Sequence, residues 1–223
     1  MTEEILPLEE APVKPAMDDF FFHAADFVYR RRKTFINLGI AIVVIIVAVY
    51  LVIQGIKRAE VKRAEALYAI QQKMVASGGN GRTFLEAHGT ELNDFIKENQ
   101  GTPEEKIALF ERSNLFYSTL KYAEAEADLN KIIVELKPEA GLFPVANLFL
   151  ANILRDQNRA EEAIVLLKSA LNKRPSDMIL IEIAEAYYGL SKFDQAKQNI
   201  NDLKSQFPQS PYLERAERLL SAM

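Results

Sequence analysis

The chain of 223 residues has no cysteine and no tryptophan, and only two histidines, His23 and His88. Without cysteine there is no disulfide framework, no thiolate metal site and no cysteine nucleophile. Two histidines 65 positions apart exclude a histidine-rich zinc or iron centre. Excess charge of one sign is also missing. Lys and Arg number 27 and Asp and Glu 31, for a net charge of −4, which excludes a generic nucleic-acid binder with its basic domain or stripe. Gly and Pro stand at nine each, too few for a low-complexity chain. Composition therefore leaves a helical binding or structural protein.

One feature is averaged away by composition. Residues 34–56 form a run of 23 without a charge, almost wholly aliphatic from Ala41 to Ile53. At 1.5 Å per residue such a helix is about 35 Å long, enough to cross a hydrocarbon core of roughly 30 Å. The run is too long for a signal-peptide core and starts too far into the chain. It passes through Gln54-Gly55-Ile56 straight into charge, with no small-residue cleavage site. It reads as a transmembrane helix flanked by Arg30, Arg31, Arg32 and Lys33 before it and Lys57 and Arg58 after it. Counted over about 20 residues on each side, basic residues balance, so the positive-inside rule decides little by number. The compact Arg-Arg-Arg-Lys block places the short N-terminal tail in the cytoplasm and the C-terminal part outside, in the periplasm of a Gram-negative inner membrane.

The tail divides in two. Residues 1–17 combine Pro7, Pro12 and Pro15 with Glu3, Glu4, Glu9 and Glu10, a composition that cannot bury a core. Residues 18–33 hold an aromatic block, Phe20-Phe21-Phe22 through Tyr29, with Asp18 or Asp19 as a helix cap. Its rings suit the membrane interface and its arginines lipid phosphates; a docking motif for a membrane partner is the alternative. After the span, residues 57–101 read as a helical linker and a first helix pair, broken at Gly78-Gly79-Asn80-Gly81. That run is a turn and not a phosphate loop, since no Gly-Lys-Ser/Thr follows. Thr102-Pro103-Glu104-Glu105 is then a helix start, with Thr102 as cap, Pro103 in the first turn and Glu105 closing a capping box.

An internal repeat occupies residues 102–223. Ala163 and Ala196 lie 33 positions apart, as do Pro175 and Pro208, while Ala125 precedes Ala163 by 38. The excess falls in Pro138-Glu139-Ala140-Gly141-Leu142. These residues resemble the tetratricopeptide repeat (TPR), a helix–turn–helix of about 34 residues. Units fall at about 106–139, 144–177 and 177–210, with a capping helix over 210–223. The small places are Ser113 and Ala125, Ala151 and Ala163, Ala184 and Ala196, and Pro175 and Pro208 close their units. Asn158 stands at a turn where a left-handed backbone is expected. Arg112 departs from the pattern, occupying a place for a large apolar residue, and the motif's tryptophan place is empty. The fold class expected is all-α: one transmembrane helix followed by a TPR-like right-handed solenoid of antiparallel helix pairs.

The whole layout resembles the YfgM family of ancillary Sec-translocon proteins, from roughly Phe20 to Met223, with Glu105 to Ile133 carrying most of the likeness. Gln206 to Tyr212 is similar to TPR domains of bacterial envelope proteins, including the cell-division coordinator and outer-membrane assembly lipoproteins. The resemblance implies an inner-membrane protein with a periplasmic domain, associated with the SecYEG channel and the chaperone PpiD, that hands over emerging polypeptides. A scaffold for another secretion, motility or division machine, or a cytoplasm-facing tethered receptor, are the alternatives.

TPR stacks offer a concave face made by the first helix of each pair. By register that face takes Phe110, Asn114 and Tyr117, then Leu148, Asn152 and Arg155, then Ile181, Glu185 and Tyr188. Tyr, Arg and large apolar groups are the usual hot-spot types. Glu111, Phe149 and Glu182 stand one turn back from Asn114, Asn152 and Glu185, where a carboxylate clamp would need cations, so such a clamp is disfavoured. Tyr117 and Tyr188 are expected to be dispensable for folding. Glu124, Glu126 and Asp128 read as a solvated surface. His88 has no catalytic partner at a suitable spacing, so no enzyme, cofactor or metal is expected.

Overall fold

The computed structural model describes residues 23, 27, 29–78 and 80–223. The expected tail (1–17), most of the aromatic block and Gly79 lie outside the described residues. The chain divides into two units, Met1–Val61 and Lys62–Met223. All regular structure among the described residues is helical, with no strand among them. In order the helices are α1 (Arg32–Ala76), α2 (Gly81–Glu98), α3 (Pro103–Ser118), α4 (Tyr122–Glu135), α5 (Leu142–Asp156), α6 (Ala160–Lys173), α7 (Asp177–Gly189), α8 (Phe193–Gln206) and α9 (Leu213–Ser221).

In the first unit, α1 carries the uncharged run. It is long and apolar enough to cross a membrane, and none of that stretch is buried by the chain itself. Side chains such as Val44, Ile45, Leu51 and Val52 stand about 60% exposed. Arg31 lies over the Phe27 ring at 5.2 Å and Arg32 over Tyr29 at 5.3 Å. Arg30 to Lys33, Lys57 and Arg58 are exposed at the two ends of the run.

The second unit stacks neighbouring helices in chain order, α2 on α3 through to α8, with α9 against α7 and α8. No pair buries its own apolar stripe; successive pairs bury it for one another. One core cluster runs from Leu67 and Ile70 of α1 through Leu92, Leu109, Leu129, Ile153 and Leu167 to Ile183 and Ala196. A second, around Leu180, Ile181, Ile200, Leu203 and Ala216, seals the C-terminal end. The six small residues Ser113, Ala125, Ala151, Ala163, Ala184 and Ala196 are all buried, which lets helices approach closely. Pro175 and Pro208 are exposed. They lie outside the helices and take no part in the packing expected of them: with no N–H and a fixed φ, they stop the chain continuing as helix.

The turns set the register. Leu120, Asn158 and Ser191 all have positive φ, at 61°, 61° and 57°. They are 38 and 33 positions apart, the same spacings as Ala125, Ala163 and Ala196. Each closes a Schellman motif. The next residue's N–H reaches the helix carbonyl five back: Lys121 to Phe116 at 2.8 Å, Arg159 to Leu154 at 2.8 Å and Lys192 to Tyr187 at 2.9 Å. Gly78 ends α1 in the same left-handed way, at φ 67°.

Polar side chains fix the helix starts. Thr102 accepts the Glu105 N–H at 3.2 Å. The Glu105 carboxylate turns back to the N–H of Gly101, at 2.6 Å, one residue earlier than the usual capping box. Glu105 is wholly buried and paired with Lys131 of α4 at 2.5 Å. Arg112 is satisfied where an apolar residue was expected: it holds Asp128 with two bonds of 2.8 and 2.6 Å and Asn93 at 2.6 Å. Asp128 is therefore buried and not part of a solvated surface. The extra residues between α4 and α5 are tied down by Arg174, whose Nη1 reaches the carbonyls of Pro138, Glu139 and Ala140 at 3.1–3.2 Å.

Two substitutions test this arrangement. Ala163→Arg drives a long charge into a fully buried contact and should cost roughly 3 kcal/mol or more; an unchanged thermal midpoint would show the register to be wrong. Leu120 is 72% exposed, so Leu120→Gly loses little packing and relieves its left-handed backbone. It should stabilise by about 1 kcal/mol, raising the midpoint by ~2–4 °C.

Candidate protein-docking groove

Side chains link the first helix of each pair to the first helix of the next. Arg63 of α1 pairs with Glu104 of α3 at 3.2 Å. Gln71 of α1 donates to Glu111 of α3 at 3.4 Å. Between α3 and α5, the Phe110 and Phe149 rings lie 5.6 Å apart and Tyr117 meets Phe149 edge-on at 5.4 Å. The Tyr117 hydroxyl also donates to Asp156. Arg155 of α5 reaches Glu182 of α7 at 3.3 Å. Arg215 of α9 donates to Glu185 and, at 3.0 Å, to Glu182. The two carboxylates on one face of α7 are thus held by an arginine.

Of the nine residues assigned to this face from sequence, Ile181 is fully buried in the C-terminal core and leaves the set. The cause is α9, whose Ala216 packs against the same cluster. Asn152 is exposed; Phe110, Asn114, Tyr117, Leu148, Arg155, Glu185 and Tyr188 are half-buried. Tyr117 joins α3 to α5 through Phe149 and Asp156. Tyr188 stacks near Phe193 at 5.7 Å and donates to the carbonyl of Ala222 at 3.4 Å. Gln71, Glu104, Glu111, Phe149 and Asp156 join these residues through the side-chain links above and were not among the nine. Nothing in the repeat pattern marks Gln71, because it lies on the tail of the apolar helix, whereas Glu111 and Phe149 follow once the left-handed turns fix the helix phase.

A cleft of about 440 Å³ opens between the end of α1 and α3, lined by Met74, Val75, Glu111, Asn114, Leu115 and Ser118 among others. Burial pushes the Glu111 carboxyl above the usual glutamate value, opposed by the Gln71 hydrogen bond. The hydrogen bond to Asp156 pushes the Tyr117 phenol up, and that to Glu185 raises the Arg215 guanidinium further. A second cleft, of about 500 Å³, lies on α4, α5 and α6, floored by Leu150 and Leu154 and edged by Glu126 and Arg159. Arg159 bridges Glu126 and Glu162 there and holds the Glu162 carboxyl below its usual range. Among the described residues no group of three or more acidic or histidine side chains is placed to hold a metal ion.

A stack of helix pairs recurring every 33 to 38 residues is a helical-repeat fold. The profile of the tetratricopeptide repeat-like domain matches residues 29–178, and the chain belongs to that family. Among solved structures it is similar to the TPR-like repeats of a kinesin-light-chain candidate from Podosopora anserina. The TM-score is 0.50, 14% of residues are identical, and 71% of this chain and 86% of that one are covered. A Q17M variant of that protein gives 0.51 at the same identity and coverage. At such identity the likeness shows the fold alone. No curated protein matches the chain.

Glu111 gives the groove a pH signature. Its folded value lies above its unfolded one. Between the two, the folded chain holds more protons than the unfolded chain. The ionised group therefore costs stability at neutral pH, and the cost disappears as pH falls through that window. Glu111→Gln should raise the thermal midpoint at pH 7 and lose its advantage near pH 4, as read by thermal melting across pH.

Proposed function

We propose that the protein is a non-enzymatic, membrane-anchored TPR scaffold whose inner face docks other proteins of the cell envelope. The observation that carries this is the uncharged run of α1, left uncovered by the rest of the chain. Exposing this much apolar side chain to water is costly at ~25 cal/mol per Å², and a bilayer removes that cost. The basic residues at both ends suit the headgroup layers. Arg30 to Lys33 hold the N-terminus in the cytoplasm, and the repeat domain lies in the periplasm across an inner membrane.

The resemblance of layout to the YfgM family supports a finer reading: an ancillary factor at the Sec translocon that links SecYEG to periplasmic chaperones, PpiD among them. The domains follow as a tail (1–17), an interfacial segment (18–33), a span (34–56), a linker with a first helix pair (57–101) and repeats (102–223). The TPR-like family membership and its interaction-scaffold fold support protein partners in general.

Two measurements test the proposal. Protease added to intact spheroplasts should trim a C-terminally tagged protein to a membrane-bound stub; complete protection until lysis would place the repeats in the cytoplasm. Mild crosslinking and purification should recover SecY and PpiD peptides, and their consistent absence would leave a scaffold for another envelope complex.

A further inference from the structure

We propose that the part of the groove between α1, α3 and α5 binds an extended basic segment of a partner protein, one cationic side chain meeting Glu111 and a second meeting Asp156. This rests on the reading of the inner face as a docking surface and names the chemistry of what docks there.

The argument is one of charge pairing along that face. Glu104 is matched by Arg63, Glu182 by Arg155 and Arg215, and Glu185 by Arg215. Glu111 and Asp156 differ. Each is satisfied only by a neutral donor, the Gln71 amide and the Tyr117 hydroxyl. No lysine, arginine or histidine among the described residues forms an ion pair with either. The face therefore carries two negative charges that its own arginines leave uncompensated. Glu111 has in addition lost part of its hydration, standing half-buried in the cleft beside Met74, Val75 and Leu115. An incoming cation would restore the charge compensation that water no longer supplies, and in a partly desolvated site it gains more than at an exposed one.

The rings of Phe110, Phe149 and Tyr117 contact one another beside these groups: Tyr117 holds Asp156, and Phe110 precedes Glu111 on α3. Aromatic faces accept both the methylene stem and the charged head of Lys or Arg. An acidic segment would meet the two uncompensated charges directly. The spacing also selects. Glu111 and Tyr117 are six positions apart on α3, about 9 Å along its axis and about 120° apart around it. Four residues of extended chain cover ~13 Å and put both side chains on one face, so cations at positions i and i+4 of the partner suit the two sites.

The test uses the full chain in nanodiscs of zwitterionic phosphatidylcholine, which hold no anionic lipid to compete for basic peptide. Binding of fluorescein-labelled octapeptides is read by anisotropy. One peptide carries Lys at i and i+4 in a Gly/Ser/Leu background, and its partner carries Glu at those places. The Lys peptide should bind at least ~10-fold more tightly than the Glu peptide. Glu111→Gln and Asp156→Asn should each weaken it about fivefold, with far-UV circular dichroism unchanged, because both replacements keep a hydrogen-bond acceptor. Equal binding of the two peptides, weakened in both cases by Phe149→Ala, would overturn the basic preference and leave the docking groove standing. Binding of the Lys peptide that neither the carboxylate variants nor Phe149→Ala alter, or no binding of either peptide, would overturn both.

Discussion

Everything in the repeat domain depends on close approach between helices at a few small buried side chains. A helix pair of this length cannot bury its own apolar stripe, so its stability comes from neighbours. Neighbours can come near only where the intervening residue is Ala or Ser. Ser113, Ala125, Ala151, Ala163, Ala184 and Ala196 supply that contact, and Leu129, Ile132, Leu167 and Ile183 fill the layers around it. The left-handed turns at Leu120, Asn158 and Ser191 hold each pair in the phase that brings these residues together. Leu120 adopts that conformation against its own preference, which shows how firmly the packing dictates the turn.

Once the pairs are in phase, their first helices form a common face and their polar residues must find partners across it. Most do so through arginine, as at Arg63, Arg155 and Arg215. Arg112 solves a different problem. It stands where the repeat calls for an apolar side chain, and Asp128 and Asn93 together satisfy it. A buried pair of this kind adds little net stability against an apolar pair but makes loss of either partner costly. Glu111 and Asp156 are served by neutral donors alone, and there the face retains charge to offer a partner.

The apolar run of α1 obeys a different rule. Its residues have no polar stripe and no helix of the chain laid over them. A periodic amphipathic pattern asks for a protein neighbour; an unbroken one asks for a uniform apolar surrounding. The same helix changes character after Ile56, and by Leu67 and Ile70 it carries a buried stripe that joins the repeat core. One continuous helix thus meets two packing requirements in succession.

Much of this was legible in the chain itself. The uncharged run, the capped start at Thr102 and Pro103, the 33-residue recurrence of alanines and the turn at Asn158 each act through neighbours within a few positions, so the sequence displays them directly. The inner face was legible only in part. Phe110, Tyr117, Arg155 and Glu185 follow from helix phase, but Gln71 and Asp156 belong to it through contacts between helices about 40 residues apart. Ile181 left it because α9 covers that position, and Pro175 and Pro208 proved to stop helices without packing between them. By itself the sequence determined which segments are helical, where they turn and which faces are apolar, because these are short-range matters of propensity, capping and period. Only the tertiary structure decided which charges are neutralised and which remain available, because that depends on which side chains distant segments bring within a few ångströms of one another.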